Sequence, residues 1–393
     1  MIATTIGPVI LFPVPSLLAG LLISVSLAVQ PSSSRLDTIA SQAENARVQN
    51  RIPEAIRLYR EGTHLRPSWA DGWWYLGSLL YDQDRFSEAT VAFQHLLASA
   101  PHGGPAHAFL GLCEYETGSY ADALAQFRAW ANANWAGPAQ LRDVAVFHFA
   151  LLLTWDGKFV ESLYLLATLA PRIGDAPQLS EAMGLASLRM RDLPQNYPPD
   201  HRERIWLAGK AALYAAQSPQ DFDRADEFAA RLESRYPTQP DVHYFRATLY
   251  GFEAKKPEAE REYREELKIS PRHVPSLVAL AGIELEKGDL TEAGVLARQA
   301  LDIDSRDAEA HHLLGRVFLA NGDLSASMRE LETAKQLAPD SPGVRSHLAM
   351  VYSKLGRTQE AKAESAAFLA LKNKEDVMAS AKEKLGESRE RPQ

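Results

Sequence analysis

The side chains that could catalyse a reaction or bind a metal ion are few and scattered along this chain. Cys113 is the only cysteine, which excludes an internal disulfide and any CxxC zinc or redox site. Among the 11 histidines, His311 and His312 form the only adjacent pair. Successive residues on a helix point about 100° apart, so this pair cannot chelate one metal ion well. The sequence also contains no P-loop, HExxH or GxSxG motif.

The carboxylates and the single thiol follow structural patterns. Residues 258–266 read EAEREYREE, which is typical of a solvated helix face with i,i+4 ion pairs. No isolated pair of carboxylates suggests acid–base catalysis. Cys113 lies in an apolar segment, which favours a buried packing role over a reactive thiol. We therefore expect no catalytic residue, no cofactor and no bound metal ion.

Composition narrows the class of protein. The 393 residues are 46% hydrophobic and 23% charged, which is ordinary globular usage and excludes a disordered chain or a multi-pass membrane protein. The formal net charge of −8 argues against a general nucleic-acid binder, which would usually be basic.

The first 34 residues differ from the rest because no charged side chain precedes Arg35. Residues 17–29 form an apolar run of the length of a signal-peptide core, and Ser26 and Ala28 are small residues suited to cleavage after Ala28. The alternatives are an uncleaved anchor over residues 6–29, which is long enough to span a bilayer, and a mis-assigned start. A signal peptide or an anchor predicts an exported protein, either periplasmic or membrane-anchored and facing the periplasm.

Prolines reveal a period of 34 residues in the rest of the chain. Pro67 and Pro101 are one period apart, as are Pro237 and Pro271, and Pro339 lies two periods after Pro271. A fixed spacing of this size indicates stacked supersecondary units.

The unit at residues 70–103 shows the pattern most completely. Its Trp, Leu and Gly at the fourth, seventh and eighth positions are followed by Ala, Phe and Pro, namely Trp73, Leu76, Gly77, Ala89, Phe93 and Pro101. This pattern resembles the tetratricopeptide repeat. The resemblance implies an all-α fold, a right-handed superhelical α-solenoid of antiparallel helix pairs, with about nine repeats and a C-terminal capping helix.

Small residues recur where the two helices of each unit must approach. The eighth position holds Gly or Ala, and alanine recurs at the twentieth, for example Ala55, Ala89 and Ala123. A larger side chain at either place would push the helices apart.

The repeat pattern also predicts the domain organisation. We expect a leader or anchor (1–34), an N-terminal stack (35–175), an irregular helix and proline-rich joint (176–203), a C-terminal stack (204–375), and a capping helix with tail (376–393). Residues 192–200 read DLPQNYPPD, which no helix can cross. This joint is either a hinge between two stacks or a rigidly packed insertion, and the helix before it has no obvious partner.

In the resembled family, the first helix of each pair lines a concave face through its second, fifth, ninth and twelfth positions. Transferred residue by residue, this rule predicts a partner-binding groove at Trp74, Ser78, Tyr81, Leu112, Tyr115, Tyr244, His312 and Arg316. Aromatic side chains along a groove suit recognition of a peptide or helix from another protein. The alternative is that these rings pack locally or that the chain itself fills the groove.

The resemblance thus favours a non-enzymatic scaffold for a protein partner, with no nucleic acid and a possible membrane tether through residues 6–29. The Lys and Asn with which co-chaperone relatives bind a C-terminal carboxylate at positions five and nine have no match here. A second hypothesis is an enzyme or an accessory subunit with a site at residues 176–203, where His201, Arg202, Glu203 and Arg204 cluster. A third is self-association, since the sequence leaves the oligomeric state open.

Overall fold

The computed structural model describes residues 35–100, 103–194, 196–217 and 219–387. The predicted leader lies outside them. The described residues contain no strand, which confirms the all-α prediction. The helices are α1 (Arg35–Val48), α2 (Ile52–Leu65), α3 (Ala70–Tyr81), α4 (Phe86–Ser99), α5 (Gly104–Glu116), α6 (Tyr120–Asn132), α7 (Ala139–Trp155), α8 (Phe159–Ile173), α9 (Pro177–Ser187), α10 (Arg202–Ala216), α11 (Phe222–Arg235), α12 (Val242–Phe252), α13 (Lys256–Ile269), α14 (Val274–Lys287), α15 (Leu290–Ile303), α16 (Ala308–Ala320), α17 (Leu324–Leu337), α18 (Pro342–Lys354) and α19 (Thr358–Glu387).

Helix pairs pack through the small residue at the eighth repeat position. A Cβ placed on Gly77 would lie 2.8 Å from the Phe93 ring, and one on Gly111 would lie 2.9 Å from Phe127. The glycine of α3 or α5 therefore receives an aromatic ring from the following helix, because only a hydrogen leaves room for it. At the twentieth position, Ala55, Ala89 and Ala123 are fully buried.

Two of the turns between paired helices, after α14 and after α16, use Gly-Asp dipeptides. Gly288 ends α14 with φ of +85°, and Gly322 follows α16 with φ of +82°, a left-handed conformation that glycine adopts without steric penalty. The next residue caps the following helix, since Asp289 Oδ1 accepts the Glu292 N–H at 2.9 Å and Asp323 Oδ1 accepts the Ala326 N–H at 2.9 Å. Each dipeptide thus ends one helix and starts the next.

The helix before the proline-rich joint, for which the sequence indicated no partner, is α9, and it has a partner. α9 packs most extensively against α10, and the two backbones nearly touch. A Cβ on Gly209 would lie 1.7 Å from the Ser180 carbonyl oxygen, and one on Gly184 would lie 2.0 Å from that of Ile205. The proline-rich segment between them includes a 3₁₀ turn at Pro199–His201 and is held by a hydrogen bond from Tyr197 to Glu181.

The described residues divide into two compact units, one up to Ala229 and one from Ala230. The division falls inside α11, later in the chain than the predicted joint at 176–203, because the α9–α10 contact binds that segment into the first unit. The second unit contains the regular pairs α12–α13, α14–α15, α16–α17 and α18–α19.

The predicted capping helix is not separate, because α19 continues without a break from Thr358 to Glu387. None of the helices in the described ranges is both long and apolar enough to cross a membrane.

Candidate partner-binding groove

In the first unit, the predicted groove residues of α3 converge on a ring of the next repeat. Trp74 and Tyr81 are half-buried, and their rings meet the Phe109 ring edge-on at centroid distances of 5.6 and 5.1 Å. Ser78 is buried and donates to the Trp74 carbonyl oxygen at 2.8 Å. Sequence reasoning missed Phe109, which follows position five of its repeat and joins the two repeats.

The predicted residues of α5 are covered. Leu112 is 2% exposed and Tyr115 is 7% exposed. The Tyr115 ring lies edge-on to the His148 ring of α7 at 4.7 Å, so this ring packs locally, as the alternative interpretation proposed. His148 donates through Nδ1 to the Val144 carbonyl oxygen at 2.8 Å, and burial lowers its pKa to about 4, so the ring is neutral near pH 7.

Acidic side chains lie beside Tyr81. Burial and then the neighbouring Asp84 raise the pKa of Asp82 to about 6, and the same two causes raise the pKa of Glu116. Among the described residues, these three side chains have no ion pair with a cation. They form an acidic cluster beside Tyr81.

Glu114 departs from the prediction that the carboxylates are solvated. It is 5% exposed, and its Oε2 has no hydrogen-bond partner among the described residues. Burial and then Asp122 raise its pKa to about 7. It occupies the eleventh repeat position, where the family pattern has Tyr, and this mismatch is the sequence signal that could have identified it.

In the second unit, His243 joins two repeats through both ring nitrogens. Nδ1 lies 2.7 Å from Glu262 Oε2 in α13, and Nε2 lies 3.0 Å from the Pro237 carbonyl oxygen. Both partners are acceptors, so the doubly protonated ring satisfies both contacts. The hydrogen bond to Glu262 is the main cause that raises the pKa of His243.

The same arrangement recurs at the fourth position of other repeats. At three of these positions the side chain donates to the carbonyl six residues earlier, and at three of them it contacts a residue 19 positions later. The contacts are Trp73 Nε1 to Pro67 O at 2.8 Å, His107 to Gln126 at 2.8 Å, His311 to Glu330 at 2.7 Å and Ser305 O at 3.2 Å, and Arg345 to Glu364 at 2.8 Å and Pro339 O at 2.9 Å. We call this arrangement the position-four clamp.

The clamp explains the one trio in the described residues whose ligand atoms lie close enough to hold a metal ion, Glu233, His243 and Glu262, within 4.8 Å of one another. Guanidinium groups already flank both carboxylates. Arg246 Nε lies 3.6 Å from Glu233, and Arg261 Nε lies 3.7 Å from Glu262. Because cations already neutralise the carboxylates and both His243 nitrogens are engaged, the trio fits an ion-pair network better than a metal site.

Tyr244, the predicted groove residue of α12, is half-buried. Its ring meets the Tyr263 ring at 5.8 Å and the His273 ring edge-on at 4.9 Å. His273 Nε2 in turn lies 3.1 Å from Asp241 Oδ1. Tyr244 therefore keeps one accessible side while its neighbours fix the ring.

The predicted residues of α16 lie beside a second histidine. His312 is 6% exposed, its Nδ1 lies 3.3 Å from Glu309, and its Nε2 lies 3.1 Å from Nδ1 of His347 in α18. Arg316 is half-buried. Burial, opposed by the hydrogen bond to Gly343, lowers the pKa of His347, and the charges of His312 and Arg316 add to this effect. Sequence reasoning missed His347, which directly follows the groove position held by Ser346.

Ser78, Leu112, Tyr115 and His312 are thus buried by contacts within the chain, whereas Trp74, Tyr81, Tyr244 and Arg316 keep accessible surface. Cys113 is fully buried, and burial strongly raises the pKa of its thiol, which makes it inert as a nucleophile. Whether a partner contacts these surfaces stays a prediction.

Comparisons with known proteins agree with the repeat pattern. Two family models described as "Tetratricopeptide repeat" match, one over residues 284–336 and the other over residues 41–103 and 80–138. Tetratricopeptide repeat protein 7B of Homo sapiens is 31% identical over 141 residues, which are 36% of this chain and 16% of that protein. Protein O-mannosyl-transferase TMTC3 of Homo sapiens is 23% identical over 309 residues, 78% of this chain and 30% of that protein. The chain therefore spans less than a third of these relatives.

Solved structures also resemble parts of the chain. PilF of Pseudomonas aeruginosa is 18% identical with a TM-score of 0.40, over 44% of this chain and 78% of that chain. MamA from Desulfovibrio magneticus RS-1 is 17% identical with a TM-score of 0.36, over 42% and 97% of the respective chains.

Proposed function

We propose, from the premise that this chain is a tetratricopeptide repeat protein, that it is a non-enzymatic scaffold which binds a peptide or helix of a partner protein. Tetratricopeptide repeats generally mediate protein–protein interaction. Within each unit, a partner segment would lie along the first helices of the repeats, at the groove positions that the sequence pattern predicts.

The observation that carries this proposal is the set of aromatic side chains on those helices that are half-buried and held in place by neighbouring rings. Trp74 and Tyr81 are fixed by Phe109, and Tyr244 is fixed by Tyr263 and His273. Rings already ordered by their neighbours lose little conformational entropy on binding, which favours affinity. Such aromatic side chains are typical of the residues that dominate binding energy in protein interfaces.

Site-specific photo-crosslinking tests the proposed face. A benzophenone amino acid replaces Tyr81 or Tyr244 in the full chain, and the matched control replaces Val160, which is 71% exposed on α8. We expect discrete crosslinked protein products from the two groove positions and none of these products from Val160. Equal products from all three positions, or products from Val160 alone, would contradict the groove.

We also propose that the protein is exported and works in the cell envelope, either in the periplasm or tethered through residues 6–29. The support is the uncharged apolar segment before Arg35. Fractionation of source cells, with N-terminal sequencing of the recovered protein, tests this. Recovery from the cytoplasm alone would overturn it, and a mature chain that begins at Met1 would remove cleavage but leave the tether.

The alternative of an enzyme or accessory subunit with a site at residues 176–203 has less support. This segment is occupied by its own packing, through the α9–α10 contact and the hydrogen bond between Tyr197 and Glu181. The similarity to Protein O-mannosyl-transferase TMTC3 covers only 30% of that protein, which gives no support for a transferase site in this segment.

A further inference from the structure

The turn between α7 and α8 exposes a lysine that no described carboxylate neutralises. The acidic residue of this turn, Asp156, pairs with Arg128 of the preceding repeat at 2.9 Å. Lys158 is exposed, and no hydrogen bond or ion pair joins its ammonium group to another residue in the described part of the chain. The turn therefore keeps a positive charge, although the whole chain has a net charge of −8.

Arg191 places its guanidinium on the same turn. A Cβ on Gly157 would lie 2.5 Å from Nη2, 2.8 Å from Cζ and 2.9 Å from Nε of Arg191. Because these distances are nearly equal, the flat face of the guanidinium covers the place that a side chain at Gly157 would occupy. The N–H groups lie in the guanidinium plane and are therefore directed away from this contact. Within the described residues they meet no acceptor, and the adjacent Asp192 forms no ion pair with them.

Arg189 brings a second guanidinium to this turn. Its Cζ lies 4.7 Å from the centroid of the Phe159 ring, which is a cation–π contact. Gly157 and Phe159 are two residues apart, so their Cα atoms lie within about 7 Å of each other. The guanidinium groups of Arg189 and Arg191 thus contact the two residues that flank Lys158.

The segment that carries both arginines is fixed at its two ends. Leu188 and Leu193 are 3% and 1% exposed. Between them, Arg189 has φ of +51°, and its backbone N–H donates to the Ala186 carbonyl oxygen at 3.2 Å. Because the backbone is held in this way, the two side chains start from fixed positions, and less conformational entropy is lost when a ligand binds.

We propose that Lys158, Arg189 and Arg191 form a binding site for a phosphate group, at none of the predicted groove positions. Guanidinium groups bind phosphate through paired N–H donors, and a lysine ammonium group adds a point charge. Three cations at one turn match a phosphate with several charged oxygens better than a single carboxylate. The same chemistry serves a soluble phosphate compound and a phospholipid headgroup, and the experiment separates these two sources. The site does not depend on the proposed function.

Calorimetric titration of the full chain with inorganic pyrophosphate tests the site, with sodium chloride at equal ionic strength as the reference. We expect saturable binding that Arg191→Gln weakens about tenfold, since a charge-assisted hydrogen bond is lost. Lys158→Gln should weaken it by a smaller factor. Both variants should fold, because both side chains are exposed, and thermal unfolding checks this. The matched control is Arg66→Gln, an arginine that is also exposed and has no ion pair among the described residues, and it should leave binding unchanged.

Sedimentation with vesicles of phosphatidylglycerol and phosphatidylcholine in equal parts separates the two sources, at a lipid concentration that leaves part of the protein unbound. The parent chain and Arg191→Gln share residues 6–29, so any membrane binding through that segment contributes equally to both. Weaker vesicle binding by Arg191→Gln assigns the site to a lipid headgroup. Equal vesicle binding, together with the loss of pyrophosphate binding in the variant, assigns it to a soluble phosphate compound.

Pyrophosphate binding no stronger than that of chloride, or binding that Arg191→Gln and Lys158→Gln leave unchanged, would overturn the inference. Equal weakening by Arg66→Gln would also overturn it, because the general charge of the surface would then explain the binding. None of these results changes the crosslinking expected at Tyr81 and Tyr244, so the groove is tested separately.

Discussion

The carboxyl group of Glu114 is buried in the first unit without a full set of hydrogen bonds. Its Oε2 has no partner within the described residues, and burial raises its pKa to about 7. Because the folded-state pKa lies above the ordinary glutamate value of 4.5, the folded state keeps its proton where the unfolded state has lost it. Stability therefore falls as the pH rises from about 4.5 through 7.

Glu114→Gln removes the ionisable group and keeps the shape. We expect its free energy of unfolding to exceed that of the parent by about 1 to 2 kcal/mol at pH 8, because glutamine avoids the cost of burying a carboxyl group that ionises at that pH. The difference should shrink towards pH 5. Urea denaturation at both pH values measures it, with exposed Glu161→Gln as the control. A difference independent of pH would show that ionisation of Glu114 is not the cause.

His243 also makes stability fall as the pH rises, but in this case the charged form is the one that the fold favours. Its hydrogen bond to Glu262 raises its pKa, so its stabilising contribution is full below its unfolded pKa and is lost as the pH rises through the folded pKa. His243→Gln should lower stability by about 1 kcal/mol at pH 6 and by less at pH 9. Denaturation of this variant beside exposed His64→Gln checks the prediction, and a larger loss at pH 9 would contradict it.

At the scale of elements, the α9–α10 contact depends on two glycines. A Cβ on Gly209 would collide with the Ser180 carbonyl oxygen at 1.7 Å, so Gly209→Ala must separate the helices and should cost about 3 kcal/mol. The control is Gly251→Ala in α12, where no atom lies within 4 Å of the added Cβ and alanine should stabilise by up to about 1 kcal/mol. Thermal unfolding compares them. A neutral Gly209→Ala would show that the two helices are not in this close contact.

The same pair of helices shows what sequence periodicity can predict. Gly77 and Gly111 recur at one repeat position, and the structure confirms that each faces a ring of the following helix. Gly184 and Gly209 follow no period, so no pattern indicated that their helices approach. Tyr115 was predicted from a family rule that ignores its neighbours, and the contact with His148 depends on how a degenerate repeat packs. Contacts that recur in every repeat can therefore be predicted from the sequence, whereas contacts that occur in one repeat alone cannot.

At the scale of the whole molecule, the division at residues 229–230 gives each unit a core of its own. We expect calorimetry to resolve two unfolding transitions. Gly209→Ala should lower the transition of the first unit alone, and His243→Gln should lower that of the second unit alone. A single transition that both substitutions shift would show that the two units unfold as one cooperative body.

The position-four clamp has a consequence for how such repeats evolve. Trp73, His243, His311 and Arg345 differ in size, aromaticity and charge, yet each supplies an N–H to the carbonyl six residues before it. Selection at this position can therefore act on a donor rather than on a tryptophan. Substitution among tryptophan, histidine and arginine at this position would keep the hydrogen bond between the repeats. Each substitution would change the pH dependence of that contact, because the three side chains differ in charge and pKa. A sequence pattern that requires any N–H donor at the fourth position, and not tryptophan alone, would therefore recognise diverged repeats that the tryptophan consensus misses.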